Sequence, residues 1–586
     1  MVLLSACGMH IAHADINVSG EMEKWYRVTL TFDGPQTSED AMPNPFLDYR
    51  LTATFTKGGR SIVVPGFYAA DGIAAETSAT GGNKWRVHFV PDETGIWTWR
   101  ASFRQGAGIA VDDANDGASV PPDGVTGRFE ITESDKKPPD NRARGILRYV
   151  GKNHLQFAQN KEYFLKAGAD SPENFLGYAD FDGTFDTGAY DQGDEGAEQP
   201  FIHRYEPHVK DWGQGDPTWK AGQGKGIIGA LNYLSSKGVN SVYFLTYNID
   251  GGDGKDVWPW TSPTEKLRFD CSKLDQWEIV FSHMDSRGIM LHVITQEQEN
   301  DQGLDKGELG LERKLYYREL VARFAHHPAL VWNLGEENTN TQQQRLDFAR
   351  FIRNLDPYDH PIVVHTFPDQ YDKVYKPLLG KEDFEGPSLQ IGDVNKVHSE
   401  TLKWVKLSSA QRKWFVCVDE IGPASIGVQP DANDYRHDEV RKNALWANLM
   451  AGGAGCEWYF GYTFPNNDRT CENFRSRERM WDLTRYAVEF FQGNLPFSEM
   501  TANDKIVSRG WCLARANAVF AVYLPEGGTT EIELPQGRFT VRWFNPRAGE
   551  HKNTQPTELA GPGKMSVGEP PEEPDKDWVV VIRRAK

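Results

Sequence analysis

Long apolar runs are missing from this chain. No stretch of about 18 consecutive apolar residues occurs, so no membrane-spanning helix is expected. Cysteine is scarce. Cys7, Cys271, Cys417, Cys456, Cys471 and Cys512 are scattered without a CxxC pair, which argues against a disulfide framework and against a zinc site. Cys456 and Cys471 could bridge, with free buried thiols equally open. Positive charge is in deficit, 64 Lys and Arg against 83 Asp and Glu for a net charge of −19, which argues against a nucleic-acid partner. An anionic polysaccharide stays compatible, because local arginines can recruit one inside an acidic envelope. Neither GxSxG nor HExxH appears, which removes two common hydrolase nucleophile and metal signatures. A glycine-rich phosphate loop is also missing, so a doubly wound nucleotide-binding sheet has no support.

The first residues lack a basic n-region, yet Leu4-Ser-Ala-Cys7 resembles a lipobox and Ala12-His-Ala14 a signal-peptidase site. Residues 1–14 are therefore expected to be a residual export segment. The protein would then be periplasmic, anchored to the outer membrane through a lipid, or secreted.

In the 586 residues that are present, aromatics are plentiful: 18 Trp, 21 Tyr and 31 Phe, enough to furnish sugar-stacking surfaces besides a large core. Residues 15–132 show short alternating strands, Trp25–Phe32, Asp48–Phe55, Trp85–Val90 and Ile96–Phe103, with turns between them. That pattern predicts an antiparallel β-sandwich. Residues 133–144 are rich in proline and charge and read as a linker. Residues 145–493 alternate strands with helical periodicity. The strand candidates are Tyr163–Ala169, Val239–Tyr247, Gly288–Thr295, Ala329–Leu334, Pro361–Thr366, Ser388–Ile391, Trp414–Val418 and Gly455–Phe460. Eight such strands predict a (β/α)₈ TIM barrel with insertions. Residues 494–586 return to strands and read as a small C-terminal β-sandwich. The expected fold is thus multidomain α/β, a barrel flanked by two β-domains.

Chemistry gathers at predicted strand ends. Ala329-Leu-Val-Trp-Asn-Leu-Gly-Glu-Glu-Asn338 carries adjacent acids after the fourth strand, and Asp419-Glu420 follows the seventh. Strand C-termini form the face on which barrel enzymes keep their reacting groups. Paired carboxyls on two tips suit glycosidic bond cleavage. Trp332-Asn-Leu-Gly-Glu-Glu337 resembles the fourth-strand motif of clan A glycosidases, a Trp followed by Asn-Glu, and Val418-Asp-Glu-Ile-Gly422 resembles their seventh-strand nucleophile motif. The resemblance implies Glu337 as acid/base and Glu420 as nucleophile. Glu336 stands where many clan members have the Asn that bonds the sugar 2-hydroxyl, and its charge would raise the pKa of Glu337. Pro91–Trp99 resembles the N-terminal sandwich found ahead of such bacterial barrels. Val541–Gly549 resembles the terminal β-domains of apiosidase-like glycosidases, some of which carry a collagen-binding label.

Other tips supply substrate-binding candidates. Asp170 and Glu173 follow the first strand; Asn248, Trp258 and Trp260 lie after the second; Glu297 follows the third. His365 ends the fifth strand, His398 follows the sixth, and Trp458 on the eighth is expected to floor the sugar nearest the scissile bond. Loop, core or bracing roles are open for each. Asp250, Asp253 and Asp256 could take calcium, although EF-hand spacing is missing, so no metal or cofactor is expected. His326-His327 before Pro328 reads as a helix cap or surface pair.

The implied activity is retaining hydrolysis of O-glycosidic bonds in a plant or algal polysaccharide or oligosaccharide. Two alternatives remain: a non-catalytic glycan-binding barrel, or a polysaccharide lyase, for which no Tyr/Arg/His cluster can be assigned.

Overall fold

The computed structural model describes residues 16–188, 201–249, 251–252 and 254–585. The export segment 1–14, Asp250 and Asp253 lie outside the described residues.

Two antiparallel sheets make the N-terminal sandwich. One joins Ile16–Ser19, Val28–Ser38, Gly81–Phe89 and Phe67–Tyr68; the other joins Arg60–Pro65, Tyr49–Lys57 and Gly95–Gln105, with Ala118–Ser119 and Thr126–Ile131 on its edge. Alternation decides which side chains face inward. Along Tyr49–Lys57 every second residue is buried, and Phe55 stacks on Phe89 across the sheets at 4.0 Å between ring centroids.

Eight parallel strands close the central barrel: β1 (Lys166–Ala169), β2 (Ser241–Leu245), β3 (Met290–Ile294), β4 (Leu330–Asn333), β5 (Ile362–Thr366), β6 (Gly386–Ile391), β7 (Cys417–Ile421) and β8 (Gly455–Trp458). Every predicted barrel strand overlaps one of these. β8 pairs back onto β1 through Lys166 and Gly455, which closes the cylinder. Helices outside it start and stop at recognisable caps. Cys271–Arg287 begins where the Asp270 side chain accepts from the Lys273 amide, and it ends at Gly288, whose φ of 72° glycine tolerates. Gln342–Leu355 opens with a capping box between Thr341 and Gln344. After β5 the crossover holds only the short turns Tyr371–Val374 and Lys376–Leu378.

One register detail matters for the site. Leu389 of β6 faces Val418 of β7, but the next residue, Gln390, faces Glu420, so Asp419 is bulged out of the ladder. The strand therefore runs through the acid pair, three residues further than the apolar run predicted. The bulge cancels the usual alternation, and both acids turn inward: Asp419 reaches Lys166 and Glu420 reaches His365.

Thr501–Ala502, Trp511–Arg515, Val519–Leu524, Trp578–Arg584, Glu531–Asn545 and Glu550–Ser566 form one antiparallel sheet at the C-terminus. It docks on the barrel through Arg441–Asp577 at 2.7 Å and the stacked Trp446–Tyr523 pair. The sandwich docks on the helices Cys271–Arg287 and Leu311–Phe324. Arg27 pairs with Glu278, and Arg323 donates to the Tyr68 carbonyl at 2.8 Å. His326 belongs to this contact and His327 lies behind it among barrel helices, contrary to the cap or surface role read from Pro328. Both are buried; His326 stands against the His88 ring, and His327 lies 2.7 Å from Asp285. All five cysteines among the described residues are buried and free, including Cys456 and Cys471. Among the described residues no helix is long and apolar enough to cross a membrane.

Candidate active site

The barrel interior has a charged lower storey. Lys166 of β1 stands 2.8 Å from Asp419 and 3.1 Å from Glu457 of β8, and His292 of β3 lies 2.7 Å from Glu457. All four are fully buried, so this ion cluster braces four strands beneath the mouth. Burial alone would lower the Lys166 pKa, but Asp419 and Glu457 overcome it and raise it, holding the ammonium charged.

Above it lie the acids of the strand tips. Gly335 (φ 137°) and Glu337 (φ 41°) turn the chain sharply after β4. A non-glycine residue in the left-handed region costs about 1 kcal/mol or more, and such strain concentrates at functional sites. The turn splits the two glutamates. Glu336 points down, 2% exposed, while Glu337 stays half-buried and accepts from Gln390 Nε2 of β6 at 2.7 Å.

Glu336 meets acids and rings from several strands. One set of close oxygen and nitrogen atoms comes from Glu336, His365 and Glu420, and another from Glu173, Glu297 and Glu336; within each set the atoms lie within 4.8 Å of one another. Tyr243 Oη of β2 is 2.7 Å from Glu336 Oε2 and 3.1 Å from His365 Nδ1. On the other side of its ring, His365 Nε2 is 3.3 Å from Glu420 Oε2. Burial, with Glu420 and Glu337 adjacent, holds the Glu336 carboxyl well above the usual carboxylate range, although Glu173 and Tyr243 hydrogen-bond it. Asp170 is raised in the same way by burial and by Glu336 and Glu420, and both its carboxyl oxygens are buried without a partner. Burial pushes His365 down to about 4, so the imidazole is neutral at ordinary pH.

The structure therefore brings Glu336, Glu337, Glu420, Asp170, Glu297 and His365 to one mouth. Asn248 lies in the adjoining loop, bonded to Asn300 through Oδ1, with its Nδ2 buried and unpartnered. The tryptophans are elsewhere. Trp258 and Trp260 are fully buried in the loop after β2, against Phe185 and against Tyr247 and Tyr316 respectively. Trp458 does not floor a sugar. Glu457 points into the barrel, so its neighbour points out, and the indole donates to Thr484 of the helix Glu478–Asn494. His398 stacks on Trp511 of the C-terminal domain, away from Glu420.

Asp256 receives the Thr187 amide and hydroxyl, and it carries the calcium expectation alone among the described residues. The two close sets around Glu336 have the oxygen and imidazole donors a divalent cation would use. Tyr243 and Gln390 were not foreseen. Each sits in a strand that reads as ordinary core, and nothing local separates an inward polar residue from a buried one.

Two families match parts of the chain. Residues 21–104 match the "Domain of unknown function (DUF5060)", and residues 496–583 match the "Putative collagen-binding domain of a collagenase". No curated protein matches the chain. Among solved structures, a "putative glycoside hydrolase" from Bacteroides vulgatus ATCC 8482 is similar at a TM-score of 0.62 and 16% identity, over 96% of this chain and 99% of that one. A glycoside hydrolase family 5 protein from the same organism is similar at 0.52 and 14% identity, over 77% and 94%. At these identities the likeness concerns the fold.

Proposed function

We propose that the chain is a retaining glycoside hydrolase acting on a plant or algal polysaccharide or oligosaccharide. The observation that carries this reading is the meeting of the β4 and β7 acids at one barrel mouth, with Glu336 and Glu420 oxygens no more than 4.8 Å apart. Retention asks that the catalytic pair, Glu337 and Glu420, stand about 5–5.5 Å apart, which leaves no room for water to attack from the opposite face. One glycoside hydrolase neighbour aligns over 96% of the chain and another over 77%, which supports the reading as analogy.

Glu420 is the nucleophile in this scheme. Its carboxylate attacks the anomeric carbon and forms a glycosyl-enzyme. The neutral His365 beside it adds no positive charge to blunt that attack. Glu337 is the acid/base. Of the two β4 acids it alone retains solvent exposure beyond a trace, and the acid must reach the glycosidic oxygen and later take a proton from water. Gln390 holds it in position. Glu336, neutral beneath them, accepts from the sugar hydroxyl that Asn binds in clan A barrels, and Asp170 accepts from a further hydroxyl.

A second reading exchanges the two β4 residues, favoured by the short Glu336–Glu420 separation. It predicts the same stereochemistry and is separated by leaving-group dependence. Under the first reading Glu337→Ala slows substrates with poor leaving groups far more than activated aryl glycosides, by about 10²–10⁴-fold. Proton NMR of the first-formed product tests the function as a whole. Retained configuration is expected, together with azide rescue of Glu420→Gly. An inverted anomer at early times refutes it.

A further inference from the structure

We propose that the outer face of one sandwich sheet, formed by Arg60–Pro65, Tyr49–Lys57, Gly95–Gln105 and Thr126–Ile131, binds a uronate-bearing polysaccharide, with Arg100 and Arg128 taking its carboxylates. The inference rests on the glycosidase reading for the class of polymer, while the charge argument stands on the sandwich alone.

Alternation decides what this face offers. Tyr49–Lys57 and Gly95–Gln105 turn every second residue into the core, so Thr54, Thr56, Thr98 and Arg100 point outward. Thr126 and Arg128 do the same on the neighbouring strand. Register sets these residues in rows. Thr54 faces Arg100, which faces Thr126; Thr56 faces Thr98, which faces Arg128. Together they line an open trough of about 580 Å³. Val63, opposite Thr54, and Ile96, opposite Glu130, are 56% and 55% exposed, and their methyl groups suit the C–H faces of sugar rings.

The two arginines are exposed and are diagonal cross-strand neighbours, roughly 7–8 Å apart. Like charges so placed repel, and the fold supplies no counter-charge. The other arginines of the sandwich, Arg27, Arg50, Arg60, Arg86 and Arg104, each stand 3.9 Å or less from an acid. Among the described residues, no ion pair or hydrogen bond holds the guanidinium of Arg100 or Arg128. Asp123 is engaged elsewhere: it accepts from the Phe103 amide and from Ser119, and it lies 3.4 Å from Arg104. Glu130 lies at the end of the face without an ion pair to either arginine. A merely solvated face is polar too, but it gives no reason to leave two adjacent arginines without acids in a chain of net charge −19.

The ligand chemistry follows from these groups. A guanidinium fork matches a planar carboxylate through two parallel hydrogen bonds. Threonine hydroxyls both donate and accept, as sugar hydroxyls do. A polymer with a carboxylate on each sugar presents both features at once. Nucleic acid is disfavoured, because its denser charge calls for many basic contacts.

The test is calorimetric titration of the full chain at low ionic strength, where surface charges are least screened. The probes are polygalacturonate, alginate, methyl-esterified polygalacturonate and dextran sulfate. Wild type should bind at least one uronate polymer, and should bind polygalacturonate or alginate about ten-fold more tightly than the neutral ester. The double variant Arg100→Gln/Arg128→Gln should lose that ten-fold advantage and leave ester binding unchanged. Arg100→Lys/Arg128→Lys, which keeps the charge and loses the fork, should fall between the two. Both positions are exposed, so a melting temperature within about 1 °C of wild type separates lost binding from lost fold. Failure to bind either uronate polymer, an affinity that the glutamines do not change, or tighter binding of dextran sulfate overturns the proposal. None of these readouts needs turnover. Glycan cleavage without arginine-dependent binding sinks this proposal alone, and arginine-dependent binding without cleavage sinks the glycosidase reading alone.

Discussion

Replacing Glu336 by Gln should stabilise the protein, and by more as pH rises. In the fold this carboxyl is buried beside Glu420 and Glu337, which holds its pKa above the unfolded value. A raised folded pKa means the native state keeps a proton that the unfolded chain has released. Stability from that proton is fully present below the unfolded value of about 4.3 and is lost as pH climbs through the folded value. Each pH unit inside that window costs wild type about 1.4 kcal/mol that the glutamine variant does not lose. One such unit corresponds to roughly 3 °C of melting temperature for a domain of this size. The assay is thermal unfolding of both proteins at pH 5 and pH 7. The gap should open between the two conditions. An equal gap at both would mean that Glu336 ionises in the fold as it does in the unfolded chain, and the account of the β4 end would fail.

Lys166→Met should destabilise the barrel by about 3–5 kcal/mol, because it strands Asp419 and Glu457 without their cation, and a melting temperature within 1 °C of wild type would refute the bracing role. Beside the helix Cys271–Arg287, burial lowers the His327 pKa but Asp285 and Glu278 overcome it and raise it to about 9. The stability this contributes is complete below about 6.5 and disappears as pH rises through about 9, up to about 3 kcal/mol. His327→Gln should therefore flatten the melting temperature profile between pH 6.5 and 9, and an unchanged slope would assign the trend to another group.

Periodicity and punctuation carry the architecture in the sequence itself. Apolar runs such as Ala329–Leu334 are short enough to be strands and too continuous to be half-exposed, so each predicts a parallel strand buried on both faces. The motif spacing likewise put Glu336, Glu337 and Glu420 on two tips of one barrel before any coordinates. What the one-dimensional pattern cannot carry is direction. In a strand buried on both faces, inward and outward residues look alike; thus Trp458 resembled a sugar platform but its indole meets Thr484, and Tyr243 resembled ordinary core but its hydroxyl meets Glu336.

Only the tertiary structure decided the surroundings of each acid. The bulge at Asp419 turns two consecutive carboxyls inward, one to Lys166 below and one to His365 above. The turn at Gly335 and Glu337 buries one β4 glutamate and leaves the other open to solvent. Neighbouring residues in the chain thereby acquire opposite environments. A carboxyl's proton affinity depends on what surrounds it in space, so composition and spacing could name the acids but not assign their charges.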